Sequence, residues 1–214
     1  MITNGTAATQ ERAWILAIRS ALEAAGSSIA AIILREQLPP CPLSDSSLHT
    51  LYEELYPLTA SYGVNLLLHR NFHLPWANNT DGIHLQQDPE KIFAARQVIG
   101  PGAMIGYSAH TTAELAIAFS KGADYCFLSP IFKTTSKKID ADPLGVEFLL
   151  HACSTQPGPI VALGGISVEN AGRCRTAGAA GVASLGFVFN SDTPGTATAS
   201  LVSSWFSENS GHAF

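Results

Sequence analysis

Seven short apolar runs, separated by longer segments of helical period, constrain this chain more than any other feature. They are residues 29–36 (I-A-A-I-I-L-R-E), 64–68 (V-N-L-L-L), 81–85 (D-G-I-H-L), 103–107 (A-M-I-G-Y), 123–128 (A-D-Y-C-F-L), 159–165 (P-I-V-A-L-G-G) and 181–186 (G-V-A-S-L-G). The runs are continuous rather than alternating, and strands of that kind are buried on both faces. That implies a parallel sheet covered by helical crossovers. Between the runs, helices are predicted over 11–25, 46–62, 89–99, 145–154 and 196–206. Trp14, Ala17, Ile18, Ala21 and Leu22 fall on one face of the first, and Gly26 stops it. Thr111 and Glu114 have capping-box spacing at another helix start, and Ser167 is placed to cap a helix running to Thr176.

In 214 residues, repeated βα units favour a single (β/α)8 TIM barrel over residues 1–206, with 207–214 as a C-terminal tail. An open doubly wound sheet is the alternative. The eighth strand is the difficulty: only residues 1–3 are left to form the first one. Either that strand is short, or clipped because the true start lies upstream of Met1.

The chain is 46% hydrophobic and 14% charged, which supplies a sizeable core and excludes disorder. Lys and Arg total 12 against 17 Asp and Glu, a net charge of -5, with no basic run longer than Lys137-Lys138. That argues against a nucleic-acid partner. No stretch approaches the roughly 20 apolar residues of a membrane span, and no basic segment leads into an apolar block as in a secretory signal. Cys41, Cys126, Cys153 and Cys174 lack metal-ligand spacing and read as thiols of a reducing cytoplasm, so a cytoplasmic protein is expected.

Barrels bind ligands at the C-terminal ends of their strands. The candidates there are Arg35 and Glu36, His69 and Arg70, Gln86 and Gln87, Ser108 and His110, Ser129, Gly164 and Gly165, and Ser184. The Gly pair in A-L-G-G-I-S, between a strand and a helix, exposes backbone N–H groups that suit a phosphate, and A-S-L-G offers a second such turn. Tight turning alone is the plain alternative. In P-I-F-K-T-T-S-K-K, Thr134, Ser136 and Lys137 provide two hydroxyls and an ammonium for a phosphorylated ligand, or else form a solvated loop. Arg35-Glu36 is either a site pair or a salt bridge across the barrel mouth. His84 lies inside an apolar strand as a core histidine would, and His110 is placed to help cap its helix. There is no Ser-His-Asp signature, P-loop or G-x-G-x-x-G.

These segments together resemble the thiamin phosphate synthase and TenI (thiazole tautomerase) family. The matching pieces are L-R-E at Leu34, D-G-I-H-L at Asp81, I-G-Y-S-A-H-T at Ile105, G-A-D-Y at Gly122, S-P-I-F-K-T-T-S-K at Ser129, P-L-G at Pro143, A-L-G-G-I-S-V-E-N-A at Ala162 and G-A-A-G-V-A-S-L at Gly178. The resemblance implies a (β/α)8 barrel of thiamin biosynthesis that binds phosphorylated thiazole and pyrimidine ligands. In the synthase branch a pyrimidine diphosphate loses pyrophosphate with magnesium assisting, and the thiazole nitrogen captures the carbocation. In the TenI branch a thiazole carboxylate phosphate is aromatised by proton transfer. Small barrels of this kind often dimerise, so a homodimer is one assembly open to it.

The resemblance also implies roles. Arg35 matches the arginine on the diphosphate, and Ser108 the serine near the pyrimidine. Thr134, Ser136 and Lys137 match a T-x-T-K loop, and Gly164, Gly165 and Ser184 the thiazole phosphate site. The departures gather on the diphosphate and metal side. Ile33-Leu34-Arg35-Glu36-Gln37 stands for Q-x-R-E-K, and His69-Arg70 for Asn-Asp. Gln86-Gln87-Asp88-Pro89 stands for G-Q-E-D, which leaves Asp88 as the weak metal candidate. Arg70 and Lys137 are cations able to hold a diphosphate. The acid-base His of TenI falls at Pro130, and His69 is a candidate replacement proton shuttle. The expectation is a divergent synthase-like transferase whose magnesium site is degraded. A TenI-like tautomerase using His69 and a non-catalytic phosphate-binding barrel are the alternatives.

Overall fold

Burial on both faces produces the parallel pairing that the continuous apolar runs require. The computed structural model describes residues 1–37, 42–134 and 142–207. Seven strands, β1 (Ala31–Leu34), β2 (Asn65–His69), β3 (Gly82–Gln86), β4 (Met104–Ala109), β5 (Tyr125–Leu128), β6 (Ile160–Leu163) and β7 (Gly181–Ala183), pair in parallel in that order. The helices are α1 (Ala7–Ala25), α2 (Asp45–Ser61), α3 (Glu90–Ile99), α4 (Thr112–Ser120), α5 (Gly145–Thr155), α6 (Ala171–Thr176), α7 (Gly186–Phe189) and α8 (Pro194–Phe206).

Residues 1–3 take the place of the first strand. Thr3 N–H donates to Ile33 O (3.0 Å) and Ile33 N–H to Met1 O (2.9 Å) on one side, while Ile2 N–H donates to Ser184 O (2.9 Å) beyond β7 on the other. The curled sheet is thus a TIM-type (β/α)8 barrel whose short first strand is reduced to a single bridge, Ile2 to Ile33.

Side-chain alternation divides the core in two. Ile2, Ile33, Leu67, Phe127 and Ala183 fill the barrel interior, with Ala31, Met104, Tyr125, Val161 and Leu163 packed around them. The intervening residues, such as Ile32, Leu34, Leu66, Leu68, Ile83 and Ile105, meet the helices outside. The interior is filled with side chains below the mouth, so a ligand can enter only at the strand ends.

Several local expectations change. The run 29–36 is trimmed to Ala31–Leu34, and α1 begins at Ala7 rather than 11, with Gln10 non-helical at φ -142°. The cause is Glu36. It is neither a site residue nor part of a salt bridge across the mouth. Its side chain is buried, and its two oxygens accept Gly5 N–H (3.0 Å) and Ala7 N–H (2.9 Å) at the start of α1. Thr111 caps α4 by accepting Glu114 N–H (3.1 Å), but the Glu114 carboxylate reaches His110 N–H (2.6 Å), one residue early for a reciprocal capping box. Ser167 is not a helix cap: α6 starts at Ala171, and Asn170 organises the segment by accepting Ser167 N–H (2.9 Å) and donating to Gly165 O (2.8 Å). The last strand ends at Ala183, and Gly186 opens the short α7 instead of extending it. Cys126, Cys153 and Cys174 are free thiols, and no described helix is long and apolar enough to cross a membrane.

Replacing Glu36 strands two buried N–H donors. Glu36→Ala is expected to lower stability by ~2–4 kcal/mol, with Glu36→Gln, which keeps one acceptor, losing about half as much. Urea unfolding monitored by circular dichroism checks both.

Candidate active site

The strand ends that form the mouth follow from the same alternation. In β1 to β5 the inward series ends in Arg35, His69, Gln86, Ser108 and Ser129, and the paired register places Gln86 beside Ser108 and His69 beside His84. Apolar residues fill most of the lower positions, so the charged groups are confined to the rim.

On the far side, after β6 and β7, lies a cavity of about 360 Å3 lined by Lys133, Thr134, Gly164, Gly165, Ser184 and Gly186, among others. Gly164 and Gly165 have φ of 93° and 64°, the left-handed region in which only glycine is unstrained. A Cβ on Gly164 would lie 2.8 Å from Pro130 Cα, and one on Gly165 would lie 2.5 Å from Lys133 O. Close approach therefore requires glycine, as does the turn. Phe132 N–H donates to Gly164 O (3.0 Å), tying the segment after β5 to the Gly pair. The result is a concave surface of backbone, hydroxyl and ammonium groups suited to one phosphate. Gly164, Gly165, Thr134 and Ser184 line this one cavity, whereas Ser136 and Lys137 lie outside the described residues. Lys133, which no motif singled out, lines the cavity because it precedes Thr134 at the point where the chain crosses the Gly pair.

Between the two rims runs a buried polar chain. His84 Nδ1 is 3.0 Å from Tyr125 Oη, and His84 Nε2 is 2.8 Å from Ser108 Oγ. Burial, reinforced by the charge of His69, drives the His84 pKa well below its usual value, while burial raises that of Tyr125. Both groups are uncharged at neutral pH. One ring nitrogen of neutral His84 donates and the other accepts, so the imidazole links the Tyr125 phenol to the Ser108 hydroxyl. Gly106 makes the crossing possible, since a Cβ there would fall 2.2 Å from the Tyr125 ring and 2.4 Å from His84 Nδ1. His84 is satisfied, as a core histidine should be, but it is also joined to the mouth. Tyr125 was not a sequence candidate; its signal was its inward parity in G-A-D-Y.

His69 is 6% exposed, with its ring stacked on that of His84 at 6.4 Å. Arg70 follows it, half-buried, with φ 72°, and its guanidinium donates to Gln87 Oε1. With the Gln86 amide oxygen turned towards it, Arg70 Nε also donates there at 2.9 Å. Burial lowers the Arg35 pKa; neighbouring Glu36 opposes that and the Arg70 charge adds to it. Asp88 points at the α3 start, accepting Glu90 N–H at 3.1 Å. His110 does not cap with its ring, which instead meets Ser129 O at 2.6 Å. A larger cavity of about 440 Å3, near Asn65, Asp81 and Met104, opens at the opposite ends of the strands and shares nothing with this group.

Comparison with known proteins points to one family. The family model described as thiamine monophosphate synthase matches residues 1–187. The chain is 37% identical over 159 residues to the thiamine-phosphate synthase of Chlorobium luteolum, covering 74% of this chain and 75% of that one. It is 40% identical over 140 residues to that of Salinibacter ruber, covering 65% of this chain and 62% of the relative. Among solved structures, thiamine phosphate pyrophosphorylase from Pyrococcus furiosus superposes with a TM-score of 0.78 at 24% identity, over 96% of this chain and 95% of that one.

A histidine held neutral in the fold and free to protonate when unfolded makes the unfolded state bind more protons. Stability is therefore expected to fall as pH drops through 6.5, the ordinary histidine value, by up to about 1.4 kcal/mol per pH unit for one proton. Thermal unfolding of the wild type and His84→Asn from pH 7.5 to 5 tests this: the variant should start less stable and show a shallower decline.

Proposed function

The chain belongs to the thiamine monophosphate synthase family, and on that premise we propose that it is a synthase-like transferase acting on a phosphorylated thiazole. The observation that carries this reading is the phosphate cradle after β6 and β7. Glycine is required there twice by close contact, at Gly164 and Gly165, and Thr134, Lys133 and Ser184 converge on the same cavity. The thiazole phosphate would lie in this cradle. That directs the ring towards the centre of the mouth, where the Ser108 hydroxyl, held by His84, meets the partner heterocycle. The pyrimidine methylene C–O bond breaks as pyrophosphate leaves towards Arg35 and Arg70, and the thiazole nitrogen lone pair forms the new C–N bond. Neither histidine is needed as a base, because the nitrogen that attacks carries no proton. The residues that would hold magnesium in this family do not suit it here, since a hard cation needs carboxylate oxygens and Arg70 brings a positive charge.

A second reading, a thiazole tautomerase, is supported by one observation. His69, in the inward position of β2, is an imidazole at a strand end, with its ring against His84. Its burial gives it less reach to a ligand than Ser108 has, which places this reading second.

Incubation of the protein with thiazole phosphate and pyrimidine diphosphate should yield thiamin phosphate, detected as its fluorescent oxidation product. Aromatisation of a thiazole carboxylate phosphate without the diphosphate would instead support the tautomerase. Tight thiazole phosphate binding with neither product would indicate a binding protein. In calorimetry, Gly165→Ala should weaken thiazole phosphate about tenfold or more. Failure of the wild type to bind it would overturn the assignment.

A further inference from the structure

The adjacent ends of β2 and β3 are built in an unusual way. Arg70 and Gln87 both adopt left-handed backbone conformations, φ 72° and 74°, which side chains larger than glycine rarely accept. The two residues are bonded to each other, and Arg70 N–H is anchored on His84 O at 2.9 Å. Nη2 of Arg70 is held by the Gln87 amide, and Nε by that of Gln86 once its oxygen is turned towards the guanidinium. Those acceptors are neutral, so they orient the guanidinium without cancelling its charge. Arg35 ends the neighbouring strand, near enough for the two cations to repel. Among the described residues, no carboxylate lies within 4 Å of either guanidinium. Both Glu36 oxygens are used at the α1 start, and Asp88 serves α3, with Lys91 Nζ 3.9 Å away. Arg35 has the Glu36 charge beside it in the chain, but Arg70 is met only by amides. Two half-buried like charges side by side are unfavourable until an anion joins them.

A divalent cation fits this rim poorly. The strand ends present His69, Arg70, Gln86 and Gln87, and no group of three His, Cys, Asp or Glu among the described residues is arranged to hold an ion. A guanidinium supplies by itself what a cation would, namely positive charge in a planar fork that matches phosphate oxygens. We propose that Arg70, oriented by Gln86 and Gln87 and seconded by Arg35, forms a magnesium-independent clamp for the second anionic group of the substrate, a diphosphate. The identity of that group rests on the transferase reading above; the clamp itself rests on the geometry.

Titration calorimetry of the full chain with inorganic pyrophosphate, in EDTA and in excess magnesium, tests the proposal, with saturating thiazole phosphate present to fill the cradle. Binding in EDTA at least as tight as in magnesium is expected, and binding seen only with magnesium would overturn it. Arg70→Asn, whose side chain accepts a left-handed backbone, should weaken pyrophosphate in EDTA at least about tenfold, while Arg70→Lys should lose less. Arg70→Gly, free of the strain, serves if the Asn variant does not fold. Unchanged affinity in the folded Asn or Gly variant would sink the clamp. The thiazole phosphate affinity measured first separates the two ideas. If it is absent, the transferase reading fails, while pyrophosphate titration without it still decides the clamp.

Discussion

Three backbone hydrogen bonds at residues 1–3 hold this molecule's site in register. Ile2 N–H binds Ser184 O on one side, while Met1 O and Thr3 N–H bind Ile33 on the other. Ser184 lines the cavity beside the Gly pair, and Ile33 lies two residues below Arg35 on the same inward row. The shortest segment of the sheet therefore ties the β7 end of the mouth to the Arg35 end. Thr3 adds a side-chain link, its Oγ1 accepting Arg35 N–H at 2.7 Å. Glu36, next in the chain, secures the start of α1 from the same turn.

From that closure the chemistry sorts by height. Low in the barrel the inward residues are Ile2, Ile33, Leu67 and Val161, and their packing excludes water. One level up, His84, Tyr125 and Ser108 form a neutral chain that Gly106 alone leaves room for. At the rim the charges appear, and they divide by side. Backbone amides and Lys133 line the β6–β7 end, and two guanidiniums the β1–β3 end. An uncharged middle thus separates Lys133 on one side from two guanidiniums on the other.

Much of this was legible in the residues. Continuous Ile-Val-Leu runs announced parallel strands, and the Gly pair announced a tight turn in close contact with a neighbouring segment, because no other residue tolerates its φ values and contacts. The departures at His69, Arg70 and Gln86 were visible as breaks in a motif. Other features were hidden. Arg35 and Glu36 are neighbours in sequence but point to opposite sides of the sheet, so one reaches the rim and the other a helix start. Ser167 had the right chemistry for a cap, but Asn170 takes over because its amide can bind both Ser167 and Gly165. Tyr125 looked like one more strand aromatic until the facing strand placed His84 beside it.

The sequence by itself determined the architecture and the place of the glycine turn, because side-chain periodicity and glycine backbone freedom are local properties that survive without neighbours. Only the tertiary structure decided which polar groups meet. The His84–Tyr125 bond spans 41 residues and Arg70–Gln87 spans 17. Whether a buried cation faces a carboxylate or only amides depends on strand register, and register belongs to the assembled barrel rather than to any one segment of the chain.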